Sequence, residues 1–175
     1  SRLQFDSLIQ LRDEGIKIDG HPAFTQLFLY AWTGIFGEKV FWIRLPFVLA
    51  GIGSLYYFYR IAKIWLKAKA AVAALSLFAL SYPFIIYSQI ARPYAFGVLF
   101  CLAFTYYWSK VIRDQELLID RIGMVTFGTL AILTHYFAAL QISMLLLLGL
   151  FLLLRHKLKT YLILSAGIAL LFLPH

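Results

Sequence analysis

From Ile122 to Leu154 the sequence reads IGMVTFGTLAILTHYFAALQISMLLLLGLFLLL, 33 residues without one formally charged side chain. A single helix of that length would measure about 50 Å, well beyond the ~30 Å hydrocarbon core of a bilayer. Thr134-His135-Tyr136 interrupts the run near its middle, so two membrane-crossing helices joined by a reversal are predicted, over 122–134 and 137–154. Working outward, further apolar runs fall at 41–59, 70–87 and 94–109, with a last one at 160–174, and charged residues separate them. The chain is 62% hydrophobic and 14% charged, against roughly 45–50% and about 25% in ordinary soluble domains. A water-soluble fold of 175 residues has nowhere to hide that surface, so the bilayer is the expected solvent. The predicted fold is all-α: a polytopic transmembrane helix bundle over 40–175, with about five spans plus the last one.

Residues 1–39 read differently, as an outer loop carrying interfacial amphipathic helices. Phe5, Leu8 and Ile9 fall at i, i+3, i+4 within a polar stretch that ends at Gly15. A second helix is predicted to open at Asp19-Gly20-His21-Pro22, with Asp19 placed to cap it and Pro22 in its first turn. It runs to about Phe36, with Phe24, Leu27, Phe28 and Ala31 on one face, and Gly37-Glu38-Lys39 ends it. At about 21 Å it is short for a span and suits the membrane interface. The chain starts at Ser1 and stops just after an apolar run, so it is expected to be a piece of a longer protein.

The net charge of +8 would point to nucleic acid in a soluble protein, but here the basic residues sit in short clusters between apolar runs. Arg60, Lys63, Lys67, Lys69, Lys110, Arg113, Arg121, Arg155, Lys157 and Lys159 share one side with three acidic residues; the other side has six basic against five acidic residues. By the positive-inside rule the first set faces the cytoplasm. No nucleic-acid partner is expected. The single Cys101 lies mid-span, where a small buried apolar role is expected. Gly-rich phosphate loops, zinc-ligand spacings and nucleophile elbows are absent from the sequence; no cofactor is evident, and a requirement for a divalent metal is left open.

This topology gathers a small polar set on the outer, periplasmic side: Asp19 and His21, Gln89 and Arg92 with Tyr94, and His135 with Tyr136. Ionisable groups at membrane depth are costly and usually face a cavity or the protein interior. Arg92, between two spans, offers a planar fork of donors suited to a phosphate; it also has the reach to snorkel to lipid headgroups. His21 has an alternative as a polar neighbour of Pro22, His135 as an interfacial residue, and Asp19 as an N-cap. Displacing a lipid phosphate from a sugar needs a base for the acceptor hydroxyl and cations for the leaving group. Arg92 and His21 are candidates for the second task; Gln89, Tyr94 and His135 are candidates for hydrogen bonds to sugar or phosphate.

Asp19-Gly20-His21-Pro22, then Phe36-Gly37 and Arg44-Leu45-Pro46, then Tyr87-Ser88-Gln89-Ile90-Ala91-Arg92-Pro93-Tyr94 and Thr134-His135-Tyr136, form an ordered set over about residues 19–137. The set resembles the GT-C glycosyltransferases related to dolichyl-phosphate-mannose protein mannosyltransferases and to bacterial enzymes that transfer sugars to lipid A. The resemblance implies an integral membrane glycosyltransferase of the bacterial inner membrane. Its donor would be a sugar on a polyprenyl phosphate entering from the bilayer; its acceptor, a lipid, glycan or protein, would approach from the periplasm. It also implies an acidic base in the first outer loop, commonly in an Asp-Glu pair, at a position upstream of Ser1. Within the chain Asp19 is the candidate, and Asp13-Glu14 does not match the pattern relative to His21. The competing expectation is a transporter or lipid flippase subunit, which would place polar groups on broken helices near the midplane.

Overall fold

The computed structural model describes residues 22–153 and 158–172. The expected helix within 1–14, with Asp19 and His21, lies outside the described residues. Among the described residues there are eight helices and no strand: α1 (Phe24–Phe36), α2 (Val40–Trp65), α3 (Ala68–Ala79), α4 (Tyr82–Tyr87), α5 (Pro93–Ile112), α6 (Leu118–Ile132), α7 (Tyr136–Leu152) and α8 (Leu158–Phe172). The fold is therefore an all-α bundle. Its outside carries large apolar side chains, among them Leu77, Phe137 and Phe151, each more than 70% exposed, a surface that only lipid or another apolar partner covers. By length and composition α2 and α5 are long and apolar enough to cross a membrane. The helices α6, α7 and α8 have 15, 17 and 15 residues, or about 22–26 Å.

The central helix is α5, which packs against α2, α4, α6 and α7. Phe96, Phe100, Phe104 and Trp108 recur every fourth residue and are all buried, so one stripe of α5 forms the spine of the core. Around it stand Phe47 and Ala50 of α2, Met124 and Ala131 of α6, Ile142 of α7, and Tyr161 and Ile168 of α8. Glycines set the closest approaches: a Cβ on Gly51 would meet Ser88 at 2.9 Å, and one on Gly149 would overlap the Tyr161 hydroxyl. That hydroxyl accepts from Trp108 Nε1 at 3.1 Å and donates to the Leu146 carbonyl at 2.9 Å, joining α5, α7 and α8. Such hydrogen bonds matter between membrane helices because the apolar surroundings contribute little to holding them together.

Two local features differ from the sequence expectation, and a proline inside a helix is compensated locally. A single span is expected over 70–87, but the structure has α3 and α4 with a break at Leu80-Ser81. Pro83 explains it: its ring would clash with the Ala79 carbonyl and it has no N–H to give, so it sits at the start of a new helix instead. The apolar run of α2 ends at Tyr59, but the helix continues to Trp65, because a charge ends a hydrophobic stretch and not a helix. Pro46 lies inside α2. Proline at that position leaves the Trp42 carbonyl without its helical partner, and Trp32 Nε1 of α1 donates to it at 2.8 Å.

Of the face formed by Phe24, Leu27, Phe28 and Ala31, Phe24 and Phe28 pack against the bundle core. Thr25 and Leu29 are buried, whereas Leu27 and Ala31 are exposed. Ring contacts decide this: Phe24 meets Phe96 and Phe100 edge-on at 5.6 and 5.3 Å, and Phe28 meets Phe96 at 5.0 Å. Gly37, at φ 82°, then turns the chain and its N–H bonds the Thr33 carbonyl at 2.8 Å.

Candidate functional site

The helix reversals divide the bundle into two ends. At one lie the links α2–α3, α5–α6 and α7–α8; at the other lie α1–α2, α4–α5 and α6–α7. The second end holds every described residue of the candidate site. Between α4 and α5 the chain turns over Ser88 to Arg92: the Gln89 N–H bonds Ile86 O at 3.0 Å and the Arg92 N–H bonds Ile90 O at 2.8 Å. The turn folds the motif back on itself, so Tyr87 and Tyr94 face each other at 4.5 Å between ring centroids.

His135 lies between α6 and α7 and caps α7, its Nδ1 accepting from the Phe137 N–H at 3.1 Å. That bond fixes the ring where it also meets Tyr94, 5.6 Å away, and Phe137, 5.3 Å away. Tyr87, Tyr94, His135 and Phe137 thus form one row of rings joining two separate turns. Below them Thr134 is fully buried, its hydroxyl donates to Leu130 O at 2.6 Å, and its methyl packs near Gly97. The start of α1 is seated on the same reversal, with the Phe24 N–H bonding the Leu133 carbonyl at 3.2 Å.

Arg92 opens α5 in an extended conformation and is exposed. Among the described residues its guanidinium has no hydrogen-bond or ion-pair partner. It stands two residues from Tyr94, at most about 7 Å of extended chain. Gln89 is exposed on the same turn. The structure therefore brings Gln89, Arg92, Tyr94 and His135 to one end, and pairs Tyr94 directly with His135. Asp19 and His21 lie outside the described residues.

Two groups belong with these that the sequence did not single out. Tyr87 completes the row of rings; its seven-residue spacing from Tyr94 acquires meaning only once the turn is known. Thr25, in the first turn of α1, is 3% exposed and its hydroxyl has no hydrogen-bond partner among the described residues. Its signal in the sequence is that it interrupts an apolar face. Beneath Tyr87 and Ser88 lies a pocket of about 180 Å³ between α2, α3, α4 and α5. Gly51, Ser54, Phe84 and Ser81 line it, so the break between α3 and α4 opens onto a cavity, where irregular backbone at membrane depth is tolerated. Among the described residues no group of three or more His, Cys, Asp or Glu side chains stands together as a metal site.

Residues 20–175 match the model of the family described as dolichyl-phosphate-mannose-protein mannosyltransferase. The chain belongs to that family. Neither the curated proteins nor the solved structures yielded a match. The family is one of membrane glycosyltransferases of the GT-C type, which work in general with a lipid-linked sugar donor and an acceptor. Membership also decides between the two functional expectations, in favour of the transferase over the transporter.

Proposed function

We propose that this chain supplies the donor-holding part of a glycosyltransferase that moves a sugar from a polyprenyl phosphate to an acceptor on the periplasmic face of the bacterial inner membrane. The observation that carries the proposal is the exposed Arg92, without a partner among the described residues, on the turn that brings Tyr87 to Tyr94, which in turn meets His135. In this reading Arg92 holds the phosphate. A guanidinium gives two parallel N–H bonds to phosphate oxygens, and it stabilises the negative charge that grows as the anomeric C–O bond breaks. Gln89, Tyr94 and His135 hydrogen-bond the sugar or the bridging oxygens. The mostly apolar pocket under Tyr87 and Ser88 receives the first isoprene units.

His21 is proposed as a second donor to the phosphate, and Asp19 as the group nearest in type to the base that the acceptor hydroxyl needs. The acceptor is a hydroxyl of a lipid, glycan or protein arriving from outside the bilayer. The basic clusters gather at the opposite end of the bundle, which by the positive-inside rule supports a periplasmic site.

The test is sugar transfer by the full-length protein from a radiolabelled polyprenyl-phosphate sugar. Removing one charge-stabilising donor from such a site costs on the order of 10²–10³ in rate, so Arg92→Ala is expected to lose that much while retaining its helical circular dichroism. Arg44→Ala, which removes another exposed arginine of the same end, serves as the control and is expected to fall less than tenfold. Equal activity of Arg92→Ala and wild type would remove the phosphate assignment.

A further inference from the structure

The turn that carries Gln89 and Arg92 is reached through α4, a helix of six residues that buries none of them. On its α2 side α4 stands over the cavity of about 180 Å³, so little protein supports it there. Gly51 of α2 and Ser88, which both line that cavity, are nonetheless in close contact. A Cβ on Gly51 would lie 2.9 Å from the Cβ of Ser88, 3.7 Å from its hydroxyl and 3.9 Å from the Phe84 ring. Gly51 is buried near the middle of α2, and the turn begins at Ser88. Glycine is a poor helix former, so Gly51 serves this close approach and not the helix.

What stands opposite decides how a methyl group is absorbed. Two residues along the same helix, a Cβ on Gly53 would meet Leu99 Cδ1 at 2.9 Å, and the tip of a leucine can swing to another rotamer. The Ser88 Cβ has no such freedom, because it is bonded directly to the backbone. That backbone is held by local bonds: the Ser88 N–H to Phe84 O at 3.1 Å, the Ser88 hydroxyl to Ile85 O at 2.8 Å, and the Gln89 N–H to Ile86 O at 3.0 Å. Arg92 is tied to the same turn by its N–H bond to Ile90 O. A methyl on Gly51 therefore moves the end of α4 and the turn together, while the side chains of Gln89 and Arg92 stay chemically intact.

We propose that Gly51 is a positioning residue: it is the seat on which Ser88 closes, and through that contact it fixes where Arg92 stands relative to Tyr94 and His135. The proposal rests on the phosphate-holding role given to Arg92 above and adds to it a residue of a different helix, 41 positions earlier in the chain.

The test is kcat/KM for a polyprenyl-phosphate sugar with the full-length protein, per folded molecule, with unfolding midpoints measured alongside. A misplacement of about 1 Å can cost about 100-fold in rate, so Gly51→Ala is expected to lose about 10- to 100-fold. Gly53→Ala, the same change where a side chain can yield, is expected to stay near the wild-type rate. Removing the atom that the methyl meets is the rescue: Gly51→Ala/Ser88→Gly is expected to return to within about twofold of Ser88→Gly alone. In the Arg92→Ala background the effect of Gly51→Ala is expected to shrink to within about twofold, because the group it misplaces is already gone. Additive losses in that background, as from a methyl that only fills the cavity, overturn the proposal, and so does a failure of Ser88→Gly to rescue. Wild-type transfer by Gly51→Ala beside an impaired Arg92→Ala overturns it while leaving the phosphate assignment in place. Full transfer by Arg92→Ala removes that assignment and the positioning role with it. If Gly51→Ala does not fold, Ser88→Val decides, because it presses on Gly51 from the half-buried turn. A comparable loss, absent in the Arg92→Ala background, is then expected, and unchanged transfer overturns the proposal.

Discussion

The two ends of this bundle use their charges in opposite ways. At the basic end four cations are engaged within the protein, while Lys67 and Lys69 are exposed. Lys110 pairs with Asp120 at 2.6 Å and Arg121 with Glu116 at 3.1 Å. Arg60 donates to the Tyr56 and Tyr106 hydroxyls, and Arg113 lies over the Trp65 ring. These contacts tie α2, α5 and α6 together where the chain leaves the membrane. At the other end Arg44 and Arg92 are exposed and have no partner among the described residues. There the organised contacts are between rings: Tyr87, Tyr94, His135 and Phe137. Cations already held by the protein stabilise it; a cation left open beside ordered polar rings is available to a ligand. In the proposed function Arg92 is the arginine open to a ligand, and Arg44 is the control.

Four substitutions at three positions sharpen or break the contrast. The largest effect on stability is expected from Asp120→Ala. Asp120 is 3% exposed, and its carboxylate also accepts the Leu117 N–H at 2.7 Å. Its loss leaves Lys110 half-buried without a counter-charge and uncaps α6. Breaking a buried pair from one side costs about 3–5 kcal/mol, and the partial exposure of Lys110 puts the expected loss near the lower limit. Thermal or urea unfolding of the purified protein in detergent measures it, while transfer per folded molecule is expected to change little.

Next comes the row of rings. Tyr94→Ala removes the ring between Tyr87 and His135 and is expected to slow transfer about tenfold, roughly 1.4 kcal/mol in the barrier. Tyr94→Phe keeps the ring and separates stacking from hydrogen bonding: full rescue assigns the effect to ring packing, and none assigns it to the hydroxyl. The smallest effect is expected from Trp32→Phe, which strips the Trp42 carbonyl of the donor that replaces the N–H missing at Pro46. The loss of that one hydrogen bond is expected to cost about 1 kcal/mol of stability and to leave transfer unchanged.

The class of fold was legible in the sequence because bilayer physics leaves few choices. Apolar runs bounded by charge must be helices when every backbone group has to be satisfied within its own segment. The break between α3 and α4 was less legible. Hydropathy runs through Leu80 and Ser81 without a change, and only Pro83 carries the signal. Helical periodicity places Phe24, Leu27, Phe28 and Ala31 on one face, but which of them meet the core is set by where Phe24 and Phe28 find Phe96 and Phe100. In the candidate site, Gln89, Arg92, Tyr94 and His135 stand out as polar residues among apolar ones, and charge clustering assigns them to one end. What sequence does not reveal is the Tyr94–His135 contact, because it joins turns about forty residues apart, or the buried hydroxyl of Thr25.

The most direct test of the whole account is the rate of sugar transfer from a polyprenyl-phosphate donor by full-length Arg92→Ala, normalised to folded protein. The account predicts a fall on the order of 10²–10³ with an unchanged unfolding midpoint. Wild-type transfer, or a loss traced entirely to a lowered midpoint, would contradict it and place Arg92 with the structural arginines of the opposite end.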